Sequence, residues 1–136
     1  MRTAVDTNVL LDVFLADPVF GQRSKQALRE SLQRGSLLAC EVVWAEVSGQ
    51  FPSAAAGRLA LENLGVAFSV QCLKSVARSG EAWKTYRARG GSRQRVIADF
   101  LIGAHALEQA DRLLTRDSGY FRTYFPDLTL VDPSET

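Results

Sequence analysis

Apolar positions along the chain repeat with two different periods. Short runs near TAVD (3–6), SLLAC (36–40), VAFSV (66–70), RLLTRD (112–117) and LTLVDP (128–133) are aliphatic or β-branched and bounded by turn formers. They predict strands, with 66–70 open to an edge strand or an extended turn. Between them the spacing turns helical. A turn and first helical stretch cover 7–15, with Thr7 and Asn8 able to cap it and Asp17-Pro18 breaking it. A second helix covers Phe20 to Arg34, with Ala27, Leu28 and Leu32 on one side and Gly35 as its stop. Residues 41–51 predict a third, on which Val42, Ala45, Glu46 and Gly49 share a face expected to be buried. Short and long helices follow over Ala54–Leu64 and Leu73–Arg89. The long one has Val76, Ala77, Gly80, Trp83 and Ala88 on an apolar side opposite a basic one. After the flexible Gly90-Gly91-Ser92 join, a helix begins near Val96, and residues 119–124 form a short aromatic helix or turn. Strands alternating with helices predict an α/β/α sandwich, a mainly parallel sheet covered on both faces, in a single domain over 1–136.

Four acids stand inside or at the end of these apolar segments: Asp6 in TAVD, Glu46 in VVWAEV, Asp99 in VIADFLIGA and Asp117 after RLLTR. Carboxylates are seldom buried unless they are paired or hold a metal, and no Lys or Arg is an evident partner for all four. In open α/β sheets, sites form beyond the carboxyl ends of the strands. Asp6 and Asp117 follow strands, and Glu46 and Asp99 lie early in helices, whose N-termini favour negative charge. A shared Mg²⁺ or Mn²⁺, as one ion or two, would relieve their repulsion, because carboxylate and water are the ligands of such hard ions. A cation there would make water a better nucleophile and stabilise a leaving oxygen at phosphorus. Taken singly, each acid is also readable as a cap or surface residue.

The neighbours of the acids admit two readings. Thr7, Asn8, Thr115 and Ser118 are candidates to hold the acids, a metal water or a phosphate oxygen, and equally candidates for caps and turns. From Lys84 to Arg95 there are five basic residues (Lys84, Arg87, Arg89, Arg93 and Arg95) and no acid. They suit a polyanion lying across an acidic site, or a solvated helix end. Tyr86 is the best candidate for base stacking, and most other aromatics read as core or dimer contacts. His105, the only histidine, reads as structural or as a surface residue, since metal-assisted hydrolysis needs no imidazole.

Composition narrows the class. The chain's 136 residues suffice for one core, and a net charge of +1 says little about partners. Cys40 and Cys72 fit no zinc spacing and read as buried thiols of a reducing cytoplasm. No apolar stretch reaches the length of a membrane span, and Asp6 interrupts the N-terminal run, so neither a membrane anchor nor a signal peptide is expected.

DTNVLLD at 6–12, the Glu inside VVWAEV, ADFLIGAHAL at 98–107 and LLTRDSGYFRTYFPDLTLVDP at 113–133 together resemble a PIN domain. More narrowly, they are similar to the VapC-type toxins of toxin–antitoxin pairs, over Thr3 to Pro133. The resemblance implies that Asp6, Glu46, Asp99 and Asp117 form a Mg²⁺/Mn²⁺ site that cleaves structured RNA, such as tRNA or ribosomal RNA. It also implies a homodimer and a small cognate antitoxin whose tail lies across the active-site groove. One departure is the approach to the third acid, SRQRVIAD, where many relatives carry a Pro or small apolar residue. Asp111 and Asp12 stand as alternatives for that acid, and Asp12 otherwise reads as a supporting or solvent-facing residue. Rival classes are a metal-dependent DNA nuclease of related architecture, a catalytically silent PIN-like nucleic-acid-binding protein and a receiver-type signalling module. The last would need a Lys near the final strand, where none stands.

Overall fold

The computed structural model describes residues 1–92 and 97–135. In chain order the elements are β1 (Arg2–Val5), α1 (Thr7–Phe14), α2 (Gly21–Arg34), β2 (Ser36–Cys40), α3 (Glu41–Ser48), α4 (Ala54–Leu64) and β3 (Val66–Ser69). They continue with α5 (Leu73–Ala88), α6 (Ile97–Gln109), β4 (Arg112–Leu114), α7 (Ser118–Tyr124) and β5 (Leu130–Val131). The strands form one sheet in the order β3-β2-β1-β4-β5, and every pairing is parallel. The chain steps from β1 out to β2 and β3, crosses back to β4 beside β1, and ends at β5. Right-handed crossovers therefore place α1–α4 on one face and α5–α7 on the other. The expected parallel α/β/α sandwich is the observed architecture.

The central strands are short and nearly all apolar because both faces are covered. Ala4, Val5, Leu37, Ala39, Leu113 and Leu114 are buried in one core with Val9, Leu10, Val43, Val47 and Phe100. Two glycines are fixed by close approach. A Cβ at Gly35 would collide with the backbone of Met1, so the turn into β2 needs glycine. A Cβ at Gly103 would stand 2.4 Å from the Phe125 ring, so the missing side chain lets α6 lie against that ring.

Several expected faces are rotated. The buried residues of α3 are Val43 and Val47, whereas Ala45, Glu46 and Gly49 are exposed. Both sets satisfy the helical spacing, and packing chose the two valines. On α2 the buried residues are Ser24, Leu28 and Ser31, and Leu32 faces solvent. On α5 the inward face carries Ser75, Ser79 and Tyr86, while Val76, Ala77 and Gly80 are exposed. Small serines let α5 approach α6. Their hydroxyls are satisfied locally: Ser79 Oγ donates to the Ser75 carbonyl (3.0 Å), and Ser75 Oγ accepts from Gln71 Nε2 (2.8 Å). Cys40 is buried as expected, but Cys72 is exposed at the start of α5. The helix expected to begin near Val96 is described from Ile97, and Val96 lies outside the described residues.

Candidate active site

The order of strands reverses between β1 and β4, and at such a switch point loops diverge to leave a crevice beyond the carboxyl ends. Asp6 stands there. It is the N-cap of α1, the role expected for Thr7 or Asn8, and its Oδ1 accepts from the Thr7 amide at 2.8 Å. Its other oxygen, Oδ2, accepts from Thr115 Oγ1 (2.7 Å) and from Asn8 Nδ2 (3.3 Å). Only 7% of Asp6 is exposed. Burial pushes its carboxyl up to about 6, and the negative charges of Asp99 and Glu46 add to the rise. The Thr115 and Thr7 hydrogen bonds pull the other way by favouring the carboxylate.

Of the other three acids, Glu46 and Asp99 act on Asp6 by their charge, and Asp117 adjoins it through its backbone amide on Thr115. Glu46, in the second turn of α3, is on an exposed face and not the inward one expected. Its Oε1 nevertheless accepts from Thr7 Oγ1 at 2.8 Å, which ties α3 to the start of α1. Asp99 lies in the first turn of α6, close enough for its charge to act on Asp6. Asp117 precedes α7, and its amide donates to Thr115 Oγ1 at 3.0 Å. The Thr115 hydroxyl thus receives from the Asp117 backbone and donates to the Asp6 carboxylate. Among the described residues, no three His, Cys, Asp or Glu side chains close on one point as a ready-made metal cage.

The donor set fits a hard divalent cation. A buried carboxylate held above its usual range by burial and by two neighbouring acids is an arrangement that added positive charge relieves. The available donors are carboxylate and hydroxyl oxygens, the ligands preferred by Mg²⁺ and Mn²⁺.

The supporting residues divide. Thr7, Asn8 and Thr115 all touch the acids, and Asn8 does two things at once: Nδ2 donates to Asp6 while Oδ1 accepts from the Arg116 amide (3.2 Å). Ser118 instead donates to Asp132 Oδ2 at 2.9 Å, within the segment after β5. Asp12 is not solvent-facing. It is 3% exposed, clasped by Arg116 through Nε and an Nη at 2.7 and 2.9 Å, and receives a third bond from Ser24 Oγ at 2.7 Å. Asp111 accepts from the Arg2 amide at the amino ends of the strands, the wrong rim. Neither is among the charges that act on Asp6, as Asp99 is. The Asp12–Arg116–Ser24 cluster carried no sequence signal, because its members are scattered through the chain and each reads alone as a surface residue.

The basic stretch is partly in view. Lys84, Arg87 and Arg89 are exposed at the end of α5, with Arg87 lying over the Trp83 ring. Arg93 and Arg95 lie outside the described residues. Tyr86 is not available for stacking on a base. It is 7% exposed, its hydroxyl bonds the Ser92 carbonyl, and its ring packs on Phe100 and Tyr124. His105 is buried in α6 and bonded to Ser69 Oγ at 2.9 Å, with burial holding its pKa below the usual imidazole value. Of the structural and surface readings open to it, the structural one holds. No helix among the described residues is long and apolar enough to cross a membrane.

Solved structures share this fold. VapBC-1 from nontypeable Haemophilus influenzae superposes with a TM-score of 0.76 at 19% identity, over 99% of this chain and 100% of that one. VapBC2 from Rickettsia felis, bound to a DNA fragment from its promoter, gives 0.75 at 18% identity, over 97% and 98%. DNA-bound VapBC from Salmonella typhimurium gives 0.72 at 12% identity, over 98% of each chain. No curated protein matches the chain in sequence. The sequence profile of the PIN domain matches residues 3–126, from β1 through α7 and across all four acids. On that match and this architecture, the chain belongs to the PIN domain family.

Proposed function

We propose that the protein is a Mg²⁺- or Mn²⁺-dependent endoribonuclease, the toxin of a toxin–antitoxin pair, acting on structured RNA such as tRNA or ribosomal RNA. The observation that carries this reading is Asp6, buried at the switch point and pushed to about 6 with Asp99 and Glu46 beside it. Asp6, Glu46, Asp99 and Asp117 would hold the cation, one ion or two. When bound, the ion would supply Lewis-acid stabilisation of charge at phosphorus and a lower pKa for the attacking water. The protein's own part is orientation. Thr115 and the Thr7 amide fix the two oxygens of Asp6, and the Thr7 hydroxyl aims Glu46. A carboxylate not committed to the cation is the group to take a proton from water.

Lys84, Arg87 and Arg89, together with Arg93 and Arg95, would meet the phosphates of the substrate or the carboxylates of an antitoxin tail. The likeness to solved VapBC complexes supports an antitoxin partner. A homodimer would cover the apolar residues left outside on β3, just after it and on α5, among them Phe68, Val70, Val76 and Leu73, the last 84% exposed.

The test is cleavage of total RNA with Mn²⁺ or Mg²⁺, with and without EDTA, by the wild type and Asp6→Asn. Expected are discrete fragments that vanish with chelator and fall at least about 100-fold with the mutant. Equal cleavage by Asp6→Asn would remove the assigned site. Cleavage of DNA alone would favour a related DNA nuclease.

A further inference from the structure

Arg116 stands between Thr115 and Asp117 just beyond β4, yet its side chain turns toward α1 and α2. Its guanidinium grips both oxygens of Asp12 at 2.7 and 2.9 Å and lies over the Phe20 ring at 4.1 Å. Ser24 fixes the Asp12 carboxylate from α2. The Arg116 amide donates to Asn8 Oδ1, and Asn8 in turn donates to Asp6. On either side, Thr115 donates to Asp6 and the Asp117 amide donates back to Thr115. A planar fork on a buried carboxylate, with one face stacked on an aromatic ring, has little freedom to shift.

We propose that Arg116 is a positioning residue: anchored on Asp12, it holds the Thr115–Asp117 segment against α1 and so sets the spacing between the Asp6 and Asp117 carboxylates. This rests on the reading of those acids as one cation site. The guanidinium is committed to Asp12 and Phe20. Arg116 reaches Asp6 through its backbone and Asn8, as outer partners of metal ligands do. The pair also joins α1, α2 and the β4–α7 segment, so removing Arg116 alone would strand the Asp12 charge and lower stability whatever its bearing on the site. Replacing both partners by apolar residues of similar size avoids that stranded charge, because such exchanges of buried ion pairs are often neutral in stability.

The experiment is calorimetric titration of Mn²⁺ into the wild type, Asp12→Leu/Arg116→Met, Arg116→Lys and Asp6→Asn, with a thermal melt of each. Expected is a folded double variant whose Mn²⁺ affinity falls about 10- to 100-fold. Arg116→Lys, which keeps the charge but not the fork, should fall between, and it carries the comparison if the double variant does not fold. An unchanged Mn²⁺ affinity in a folded variant, whatever its melting temperature, would make Arg116 purely structural and overturn the inference. The controls separate that outcome from failure of the site. If the wild type takes up no Mn²⁺, or Asp6→Asn takes it up equally well, the site assignment falls and the inference falls with it.

Discussion

At the scale of single residues, burial and charge act most strongly on Asp6. Its folded value of about 6 lies above the ordinary 3.8, so the protonated form is the one the fold prefers. The stability it contributes is full below about pH 4 and is lost as pH rises through about 6. A rise of that size corresponds to roughly 3 kcal/mol, reduced by any relaxation of the site. Asp6→Asn should therefore raise the melting temperature at pH 7.5 in the presence of chelator and change it little at pH 4. Thermal melts at the two values check this, and a lower melting temperature at pH 7.5 would contradict it. A cation competes with that proton, so Mn²⁺ affinity and cleavage should both climb as pH rises through about 6. Asp6 was legible in the sequence, because a carboxylate that closes an apolar strand costs the fold desolvation and must be offset by a partner. The sequence could not reveal that Asp6 is also the helix cap, or that Asp12 is buried against an arginine more than a hundred residues away.

At the scale of elements, the order of strands and helices was legible, and their extent too except at the end, where RLLTRD and LTLVDP shrink to the three residues of β4 and the two of β5. Apolar run lengths and breakers such as Pro18, Gly35 and Gly65 act locally. The facing of the helices was less so. On α3 two apolar pairs each fit a helical spacing, and only the sheet beneath decides between Val43–Val47 and Val42–Ala45. On α5 a serine face is buried and an aliphatic one is exposed, because close approach to α6 outweighs side-chain hydrophobicity there. Glu46 lies on a face that is not buried, contrary to its spacing, and it reaches Thr7 because its side chain is long. The α5 packing predicts an inverted sensitivity. Ser79→Leu should destabilise by about 1–3 kcal/mol through overpacking. Val76→Ser, on the exposed face, should stay within about 0.5 kcal/mol of the wild type. Urea denaturation of both variants checks the order, and the reverse ranking would contradict the facing of α5.

At the scale of the whole molecule, the parallel sheet and its switch point bring β1 and β4 together, and with them residues from opposite ends of the chain. Register does the rest: Val5 pairs with Leu114, so Asp6 and Thr115 emerge side by side. A single sequence shows the acids but not this pairing, and the resemblance to PIN domains supplied what spacing alone left open. Across the surface, the exposed Lys84, Arg87 and Arg89 predict a salt-sensitive encounter with RNA. Replacing all three by Ala should leave the melting temperature unchanged. It should also flatten the slope of log affinity against log salt by roughly 2, if each residue meets one phosphate of a single strand. Filter binding of RNA to an Asp6→Asn background, across a salt series, measures that slope. An unchanged slope would place the basic end away from the nucleic acid.

The most direct measurement is a crystal grown in Mn²⁺ and read by anomalous scattering. The expected result is an ion bonded to an Asp6 oxygen at about 2.1 Å, with at least one oxygen of Glu46, Asp99 or Asp117 in the same coordination shell. Anomalous density elsewhere on the molecule, with Asp6 still bound only to Thr7, Asn8 and Thr115, would show that these acids share no ion.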